Sequence, residues 1–388
     1  MRTTPNITTT RSITQQPNHT PRLWLEPRRD RSLTALLLPP VLALSGTLCV
    51  CVVMFAALGF EPLPALYSYF ITPLTNGYGW GELFLKATPL ALIATGLAFG
   101  FRAGVWNIGA EGQLILGAIG GAAAALSLPV MPDGLATVLA LLAGTAAGAL
   151  FAAIPAVLRV RFASNEILVS LMLTYIAAQL LSYLVHGPMR DPFSFGFPQS
   201  APIPPHASLS PLISGARMNL MTPLAVILLV LAWVLMSRTV LGFGLRLKGT
   251  APAAARFAGV GDRRLVVFTL LVGGAVAGLV GAAEVIGPIG QLQPQISPGY
   301  GFTAIIVAFL GQLHPIGIAL AALLVGLTYL GAEAVQIQMG IPLAVTGVIQ
   351  GVLLFTLLGF EILGRYRVRW QLGLPAPETA PISPRVQE

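Results

Sequence analysis

The chain has 388 residues, of which 55% are hydrophobic and only 9% are charged, and its formal net charge is +8. A soluble globular domain carries about a quarter charged residues. The composition therefore excludes an ordinary soluble protein and predicts a polytopic integral membrane protein.

Apolar runs near the ~20 residues needed to cross a bilayer recur along nearly the whole chain. They predict an all-α fold, a polytopic bundle of about ten transmembrane helices. In chain order the predicted spans cover residues 35–59, 83–101, 105–126, 135–158, 167–185, 220–236, 265–287, 302–312, 316–331 and 344–363.

The positions of Lys and Arg predict how these spans are oriented. Ten spans leave both termini on one side, and 19 of the 22 Lys and Arg residues then lie on that side. Only Lys86, Arg190 and Arg217 lie on the other. Because positive charge is retained in the cytoplasm, we expect both termini inside. The basic charge then indicates contact with anionic membrane lipid, not with nucleic acid.

The ends of the chain differ in composition from its middle. Residues 1–32 are rich in Thr, Asn, Gln and Pro, which cannot bury a core, and we predict a disordered cytoplasmic tail there. Residues 33–366 form the predicted transmembrane domain, and residues 367–388 a cytoplasmic C-terminal tail.

Two longer polar segments separate the apolar runs. Residues 187–219 contain seven prolines and are predicted to form an outside loop. Residues 237–264 form an inside loop, in which Pro252 can open a short helix over 253–258 and Gly259 can end it. Such a helix is typical of a docking element, although an ordinary charged connector would have the same pattern.

The two halves of the chain show weak similarity to each other. A glycine-rich segment beside polar residues occurs in the second and third spans and again over residues 273–311, where Pro288, Pro294 and Pro298 interrupt it. Two halves of five spans would be inverted relative to one another, with broken helices lining the pathway. The short eighth span fits a broken helix.

Polar side chains at membrane depth are functional candidates, because an unpaired acid there costs about 2.5–3.5 kcal/mol. Asn107 and Glu111 are four residues apart and are predicted to share one helix face, with Gln113 on the other side. The pair either lines a solute pathway or is structural. In the structural interpretation Glu111 pairs with Arg102 or with backbone amides at a broken helix start.

Two further acids, Glu284 and Glu333, lie near the outside ends of spans seven and nine. They either contact a solute or are solvated at the interface. Asn165 and Glu166 open the fifth span, where capping of the helix is the simpler interpretation.

Motifs for several kinds of chemistry are absent from the sequence. No phosphate-binding G-x-x-x-x-G-K-[ST] occurs, because Lys248 stands in LRLKGT without the required glycines. The four histidines lie far apart, and Cys49 and Cys51 stand in an apolar run, so we predict no metal site. No Ser/His/Asp arrangement is visible. We therefore expect no catalytic residues and no enzyme activity.

Four segments together carry a resemblance to a known family. The chain resembles the permease subunits of ATP-binding-cassette importers, in the branch with the branched-chain amino acid and simple-sugar permeases, and is most similar to the nucleoside-type members. The segments are GVWNIGAEGQLILGA at 104–118, SNEILVSLMLTYIA at 164–177, AAARFAGV at 253–260 and SPGYGFTAIIVAFLG at 297–311.

The resemblance implies a ten-span permease in the inner membrane of a bacterial cell. Its implied partners are a second, related permease in a heterodimer, cytoplasmic ATPase subunits, and an extracytoplasmic solute-binding protein. No cofactor is implied on this chain, because the ATPase partners bind the ATP.

The resemblance also implies that the inside loop holds a coupling helix that contacts the ATPase. The residues concerned are Ala253, Arg256, Phe257, Gly259 and Val260. Importer permeases often have a Glu about where this chain has Ala253, so a carboxylate contact at that position is not expected here.

The residues and the resemblance together predict a transport subunit that works by alternating access and has no energy source of its own. The expected solute is small and polar, with a nucleoside or purine favoured and a sugar possible. The alternatives are a secondary transporter driven by an ion gradient through Glu111 and Glu284, and a membrane scaffold.

Overall fold

A computed structural model describes residues 22–27, 33–132, 134–212, 217–342 and 344–371. Contacts divide the chain into two units. The first comprises Met1–Ser45 and Thr356–Glu388, and the second comprises Gly46–Phe355. All site residues discussed below belong to the second unit.

Most of the described residues are helical. The helices are α1 (Leu33–Ala57), α2 (Pro62–Phe70), α3 (Gly77–Arg102), α4 (Ala110–Ser127), α5 (Leu135–Phe162), α6 (Glu166–His186), α7 (Met221–Arg238), α8 (Val240–Thr250), α9 (Pro252–Phe257), α10 (Asp262–Glu284), α11 (Tyr300–Leu310), α12 (Pro315–Met339) and α13 (Ala344–Arg365).

Seven helices in the described part of the chain are long and apolar enough to cross a membrane. They are α3, α4, α5, α6, α7, α12 and α10 with its extension to Ile289. The other three predicted spans coincide with α1, α11 and α13, whose described portions are shorter apolar helices. A polytopic helical bundle is thus confirmed. With 11 residues, α11 is only about 16 Å long and is too short to cross alone.

Helices α4, α5 and α10 pack backbone against backbone. The glycine motif of α4 meets α10: a Cβ on Gly117 would overlap the backbone of Gly278, and one on Gly121 would lie 2.6 Å from the Ala282 Cβ. A Cβ on Gly148 of α5 would lie 2.6 Å from the Gly278 Cα. In the sequence, Gly117 and Gly121 form a G-x-x-x-G spacing, which predicts a close approach of two helices. The contacts confirm that approach, and small residues make it possible.

The proline-rich stretch after α10 is not a regular helix. Val285–Ile289 forms a single π-helical turn containing Pro288, and Gly290 follows with φ of +74°. Proline has no N–H to donate, which favours such an irregularity. The chain then runs without helix to Gly299, and α11 begins at Tyr300.

The inside loop contains two helices instead of one. The predicted helix is present as α9, which starts at Pro252 and is followed by Gly259 with φ of +73°. Helix α8 precedes it and was not predicted. Its N-cap is Thr239, whose side chain accepts a hydrogen bond from Gly242 N–H.

Two short strands in the first unit accompany the helices. Strand β1 (Arg22–Pro27) pairs antiparallel with β2 (Tyr366–Gln371), Arg22 opposite Gln371. Apolar residues alternate with arginines in YRVRWQ, as in a strand. Strand β1 lies in the predicted tail 1–32, of which residues 1–21 and 28–32 are outside the described residues.

Candidate functional site

A buried amide pair joins the residue Asn107, just before α4, to Gln113 near the start of α4. Asn107 donates to Gln113 Oε1 at 2.9 Å, and Gln113 donates back to Asn107 Oδ1 at 3.1 Å. Asn107 Oδ1 also accepts from Gly109 N–H at 3.0 Å. Both side chains are buried. Their polar groups satisfy each other, as groups removed from water must.

The predicted geometry of these residues is wrong. Helix α4 begins only at Ala110, so Asn107 stands before the helix and does not share a helical face with Glu111. Gln113 bonds to Asn107 and does not lie away from it. The Asn107 side chain accepts a bond from a backbone amide two residues later, a local competitor of helix.

Glu111 joins the start of α4 to the start of α11. Its Oε2 accepts a hydrogen bond from Gly301 N–H at 2.6 Å, and its side chain is buried. A Cβ on Gly301 would lie 2.5 Å from the Glu111 Cα, so the two helix ends touch. A carboxylate at a helix N-terminus satisfies a free amide and complements the helix dipole. Ser297 caps the same end by accepting from Tyr300 N–H at 2.9 Å.

Glu111 therefore contacts a backbone amide at the start of a broken helix. This is one of the two structural partners predicted for Glu111. The other partner considered was Arg102, which takes part in none of the four ion pairs among the described side chains. Arg102 lies near His314 instead. Partial burial and the positive charge of Arg102 lower the pKa of His314.

A second polar group connects α11, α12 and α13. The Thr303 hydroxyl lies 2.9 Å from the Tyr329 hydroxyl and donates to Gln350 Oε1 at 3.3 Å. Gln350 donates in turn to the Thr328 hydroxyl at 3.4 Å. The rings of Tyr300 and Tyr329 meet edge to face at 5.5 Å between centroids. Hydroxyls, an amide and aromatic rings are thus combined inside the bundle.

Four charged residues cluster at the ends of the helices that lie away from Glu111. Lys86 Nζ lies 2.6 Å from Glu333 Oε1, joining α3 to α12. Arg217 Nε lies 3.5 Å from Glu82 Oε1, joining the outside loop to α3. Two of the three cations predicted to lie outside therefore meet acids here. Glu333 is bonded to Lys86, so it is not simply solvated.

Glu284 is the last residue of α10 and lines a small pocket with Thr88, Asn219 and Met221. Lys86 and Arg217 are near enough to act on it electrostatically. Glu284 and Glu333 therefore belong to the same end of the bundle, as the sequence predicted, while Asn107 and Glu111 belong to the junction of α4 and α11.

The predicted coupling residues lie on or beside α9. Ala255 is buried, and Ala253, Arg256 and Gly259 are exposed. Phe257 is 92% exposed, an unusual position for a phenyl ring. The chain turns after α9, where Val260 N–H bonds to Ala255 C=O at 3.0 Å.

A larger cavity of about 290 Å³ lies beneath α9. Its charged lining is formed by Arg159, Lys248, Arg256 and Asp262. Lys248 Nζ lies 2.5 Å from Asp262 Oδ1. Arg159 forms an ion pair with Glu166 at the start of α6.

Sequence reasoning missed several of these residues. Tyr300, Tyr329 and Gln350 were not singled out, although a glutamine within an apolar span is a signal of function or packing. Glu166 does more than stabilise a helix start, because it also accepts from Trp106 N–H at 3.3 Å. Asn165 caps α6 as expected, accepting from Ile167 N–H at 2.9 Å.

Three known proteins that are similar to this chain are named as permeases of ABC transporters. A glucose ABC transporter permease protein of Haloferax volcanii is 37% identical over 89% of this chain and 93% of its own. A guanosine ABC transporter permease protein of Bacillus subtilis is 32% identical over 76% of this chain and 84% of its own. A second Haloferax volcanii relative, a putative glucose ABC transporter permease protein, is 28% identical over 62% and 72%. No solved structure matches the chain.

Residues 80–358 match the family described as branched-chain amino acid transport system / permease component. This range contains every candidate site residue named above. The predicted resemblance and the predicted role as a transport subunit, not an enzyme, are confirmed by this match. The chain belongs to the permease-component family of ATP-binding-cassette importers.

Proposed function

We propose that this chain is the membrane-spanning subunit of an importer for a nucleoside or a simple sugar. The observation that carries the proposal is the family match over residues 80–358, together with relatives named for guanosine and for glucose. A nucleoside and a sugar share a hydroxylated ring, which amide, hydroxyl and carboxylate groups can bind. Tyrosine rings suit the apolar face of either solute.

The solute pathway is proposed to run between the Glu284 and Glu333 end and the junction at Glu111. Tyr329 and Gln350 lie on the helices between these two places and supply hydroxyl and amide groups. We assign Glu284 and Glu333 to solute entry. Asn107 and Glu111 brace the pathway, since their polar groups are already bonded to protein.

The proposed topology has ten crossings with both termini in the cytoplasm of a bacterial cell. The broken segment at residues 285–310 then takes part in the seventh and eighth crossings. Two inverted halves of five crossings fit this count. The cavity with Arg159, Lys248 and Arg256 would face the cytoplasm, where positive charge is retained.

The proposed partners follow from the family. Helix α9 presents Phe257 beside Arg256, and an exposed apolar group rimmed by charge marks a protein contact. We assign this surface to the ATPase, which also binds the ATP. Haloferax volcanii has two relatives of this chain with glucose in their names, which supports pairing with a second permease. An extracytoplasmic solute-binding protein would deliver the solute.

Uptake of labelled guanosine and labelled glucose by cells that express the complete transporter tests this function. We expect uptake of one of them to stop when ATP is depleted and to survive a protonophore. The ion-gradient mechanism through Glu111 and Glu284 predicts the opposite pattern. Competition by unlabelled solutes then identifies whether the base or the sugar ring is required.

A further inference from the structure

One ion pair joins the two ends of the chain segment that carries α9. Lys248 lies in the last turn of α8, and Asp262 is the first residue of α10. Their charged atoms are 2.5 Å apart. The Lys248 side chain is only 10% exposed, whereas that of Asp262 is 65% exposed. The pair therefore fixes both ends of the segment that presents Phe257.

The surroundings make this pair more important than an ordinary surface ion pair. Asp262 is the one acid among the described residues that line the cavity, and it faces three cations, Arg159, Lys248 and Arg256. Arg159 already has Glu166 as its partner, and Arg256 is exposed. Lys248 is consequently the cation that depends on Asp262, because a buried ammonium without a partner is costly.

Helix α10 connects this pair to the proposed site of solute entry. It begins at Asp262 and ends at Glu284, which lies roughly 33 Å further along the helix axis. Between them α10 is held by close contacts: Gly278 packs on Gly148 of α5, and Gly281 packs on Leu114 of α4. A helix packed in this way moves as a unit with its neighbours, since tight interfaces do not deform continuously.

We propose that the Lys248–Asp262 ion pair is the link that transmits movement of α9 into α10 during transport. Both residues are positioning residues: they touch neither solute nor ATP and act through the helices that they join. The proposal rests on the function proposed above, in which α9 contacts the ATPase. It adds a specific route from that contact to the solute pathway.

The test uses the complete importer in proteoliposomes and measures solute uptake per ATP hydrolysed. In the double variant K248M/D262N the charges are removed together, so that no unpaired buried charge remains. We expect this variant to insert, to co-purify with the ATPase and to hydrolyse ATP. Uptake per ATP should fall at least about fivefold, the lower limit of typical coupling between sites.

Exchange of the two charges distinguishes a link from a merely structural contact. The single variant K248D places two acids together and should lose coupling. The exchanged pair K248D/D262K restores the attraction, and we expect it to recover most of the uptake per ATP. Recovery will be incomplete, because each exchanged charge opposes the dipole of its helix.

Three results would overturn the proposal. One is an unchanged uptake per ATP in K248M/D262N. Another is loss of ATPase co-purification in that variant, which would make the pair a docking element. The third is an exchanged pair no better than K248D. If the unaltered permease neither co-purifies with an ATPase nor needs ATP for uptake, the proposed function itself fails, and this result is distinct from all three.

Discussion

At the scale of single residues, the buried acid Glu111 illustrates how a membrane protein accommodates a carboxylate. It accepts the Gly301 N–H at 2.6 Å, and residues 111 and 301 are 190 positions apart in the chain. The same contact stabilises the acid and the first turn of a broken helix. A residue that looks like a solute ligand in the sequence is thereby occupied by the protein itself.

Replacement of Glu111 tests this role. Glu111→Ala leaves the buried Gly301 N–H without an acceptor, which should lower stability by about 1–3 kcal/mol. Glu111→Gln retains an oxygen acceptor of the same reach, so we expect a smaller loss. Thermal unfolding of the two detergent-purified variants compares them. An alanine variant as stable as the original protein would contradict the bracing role.

Phe257 is the residue on which docking of the ATPase depends in our proposal. Phe257→Asp places an unpaired carboxylate in that contact, at a cost of about 2–5 kcal/mol. We expect co-purification of the ATPase and solute uptake to fall together, with the amount of inserted permease unchanged. Phe257→Leu keeps an apolar side chain and is the matched control. Normal uptake by the aspartate variant would show that docking lies elsewhere.

At the scale of elements, glycine decides how closely α4, α5 and α10 approach. Gly278 of α10 lies against Gly117 of α4 and Gly148 of α5, so one position serves two interfaces. The hydrophobic effect gives no preference between helices within lipid, and close van der Waals contact must supply the association. This explains why the glycines of spans three, four and seven are concentrated where these helices meet.

Gly278→Val should separate α10 from α5. The added side chain overlaps the backbone of Gly144 and Gly148 in α5, and overpacking of this kind costs about 1–3 kcal/mol or more. We expect a lower unfolding temperature and reduced uptake. Gly351→Ala in α13 is the control, because a Cβ there would meet no atom within 4 Å. Equal unfolding temperatures for the two variants would refute the packing argument.

At the scale of the whole molecule, the charged residues discussed here fall into two groups at opposite ends of the bundle helices. The basic cavity of Arg159, Lys248 and Arg256 lies at one end of the bundle helices. Glu284, Glu333 and Lys86 lie at their other ends. Because positive charge is retained in the cytoplasm, we propose that the first group faces inward.

Cysteine labelling tests this orientation. In a background without Cys49 and Cys51, a cysteine at Ser210 should react with an impermeant thiol reagent added to intact cells. A cysteine at Thr250 should react only after the membrane is opened. Both positions are exposed in the structure, so accessibility of the side chain does not limit the reaction. The reverse pattern would invert the topology and remove α9 from the cytoplasm.

The sequence alone predicted the local features. Long apolar runs predicted the helices, Pro252 and Gly259 predicted the limits of α9, and the spacing of Gly117 and Gly121 predicted a close helix contact. Each of these signals depends on residues near one another in the chain, where sterics and solvent set the conformation directly. The four family segments likewise predicted the role in transport.

Only the tertiary structure decided which polar groups meet. Glu111 bonds to Gly301, Lys86 pairs with Glu333, and the Asn107 amide bonds to Gln113. The first two partners lie on helices far apart in the chain, and they meet because apolar packing brings those helices together. A buried polar group bonds to whichever partner that packing provides, so its partner is a property of the assembled bundle.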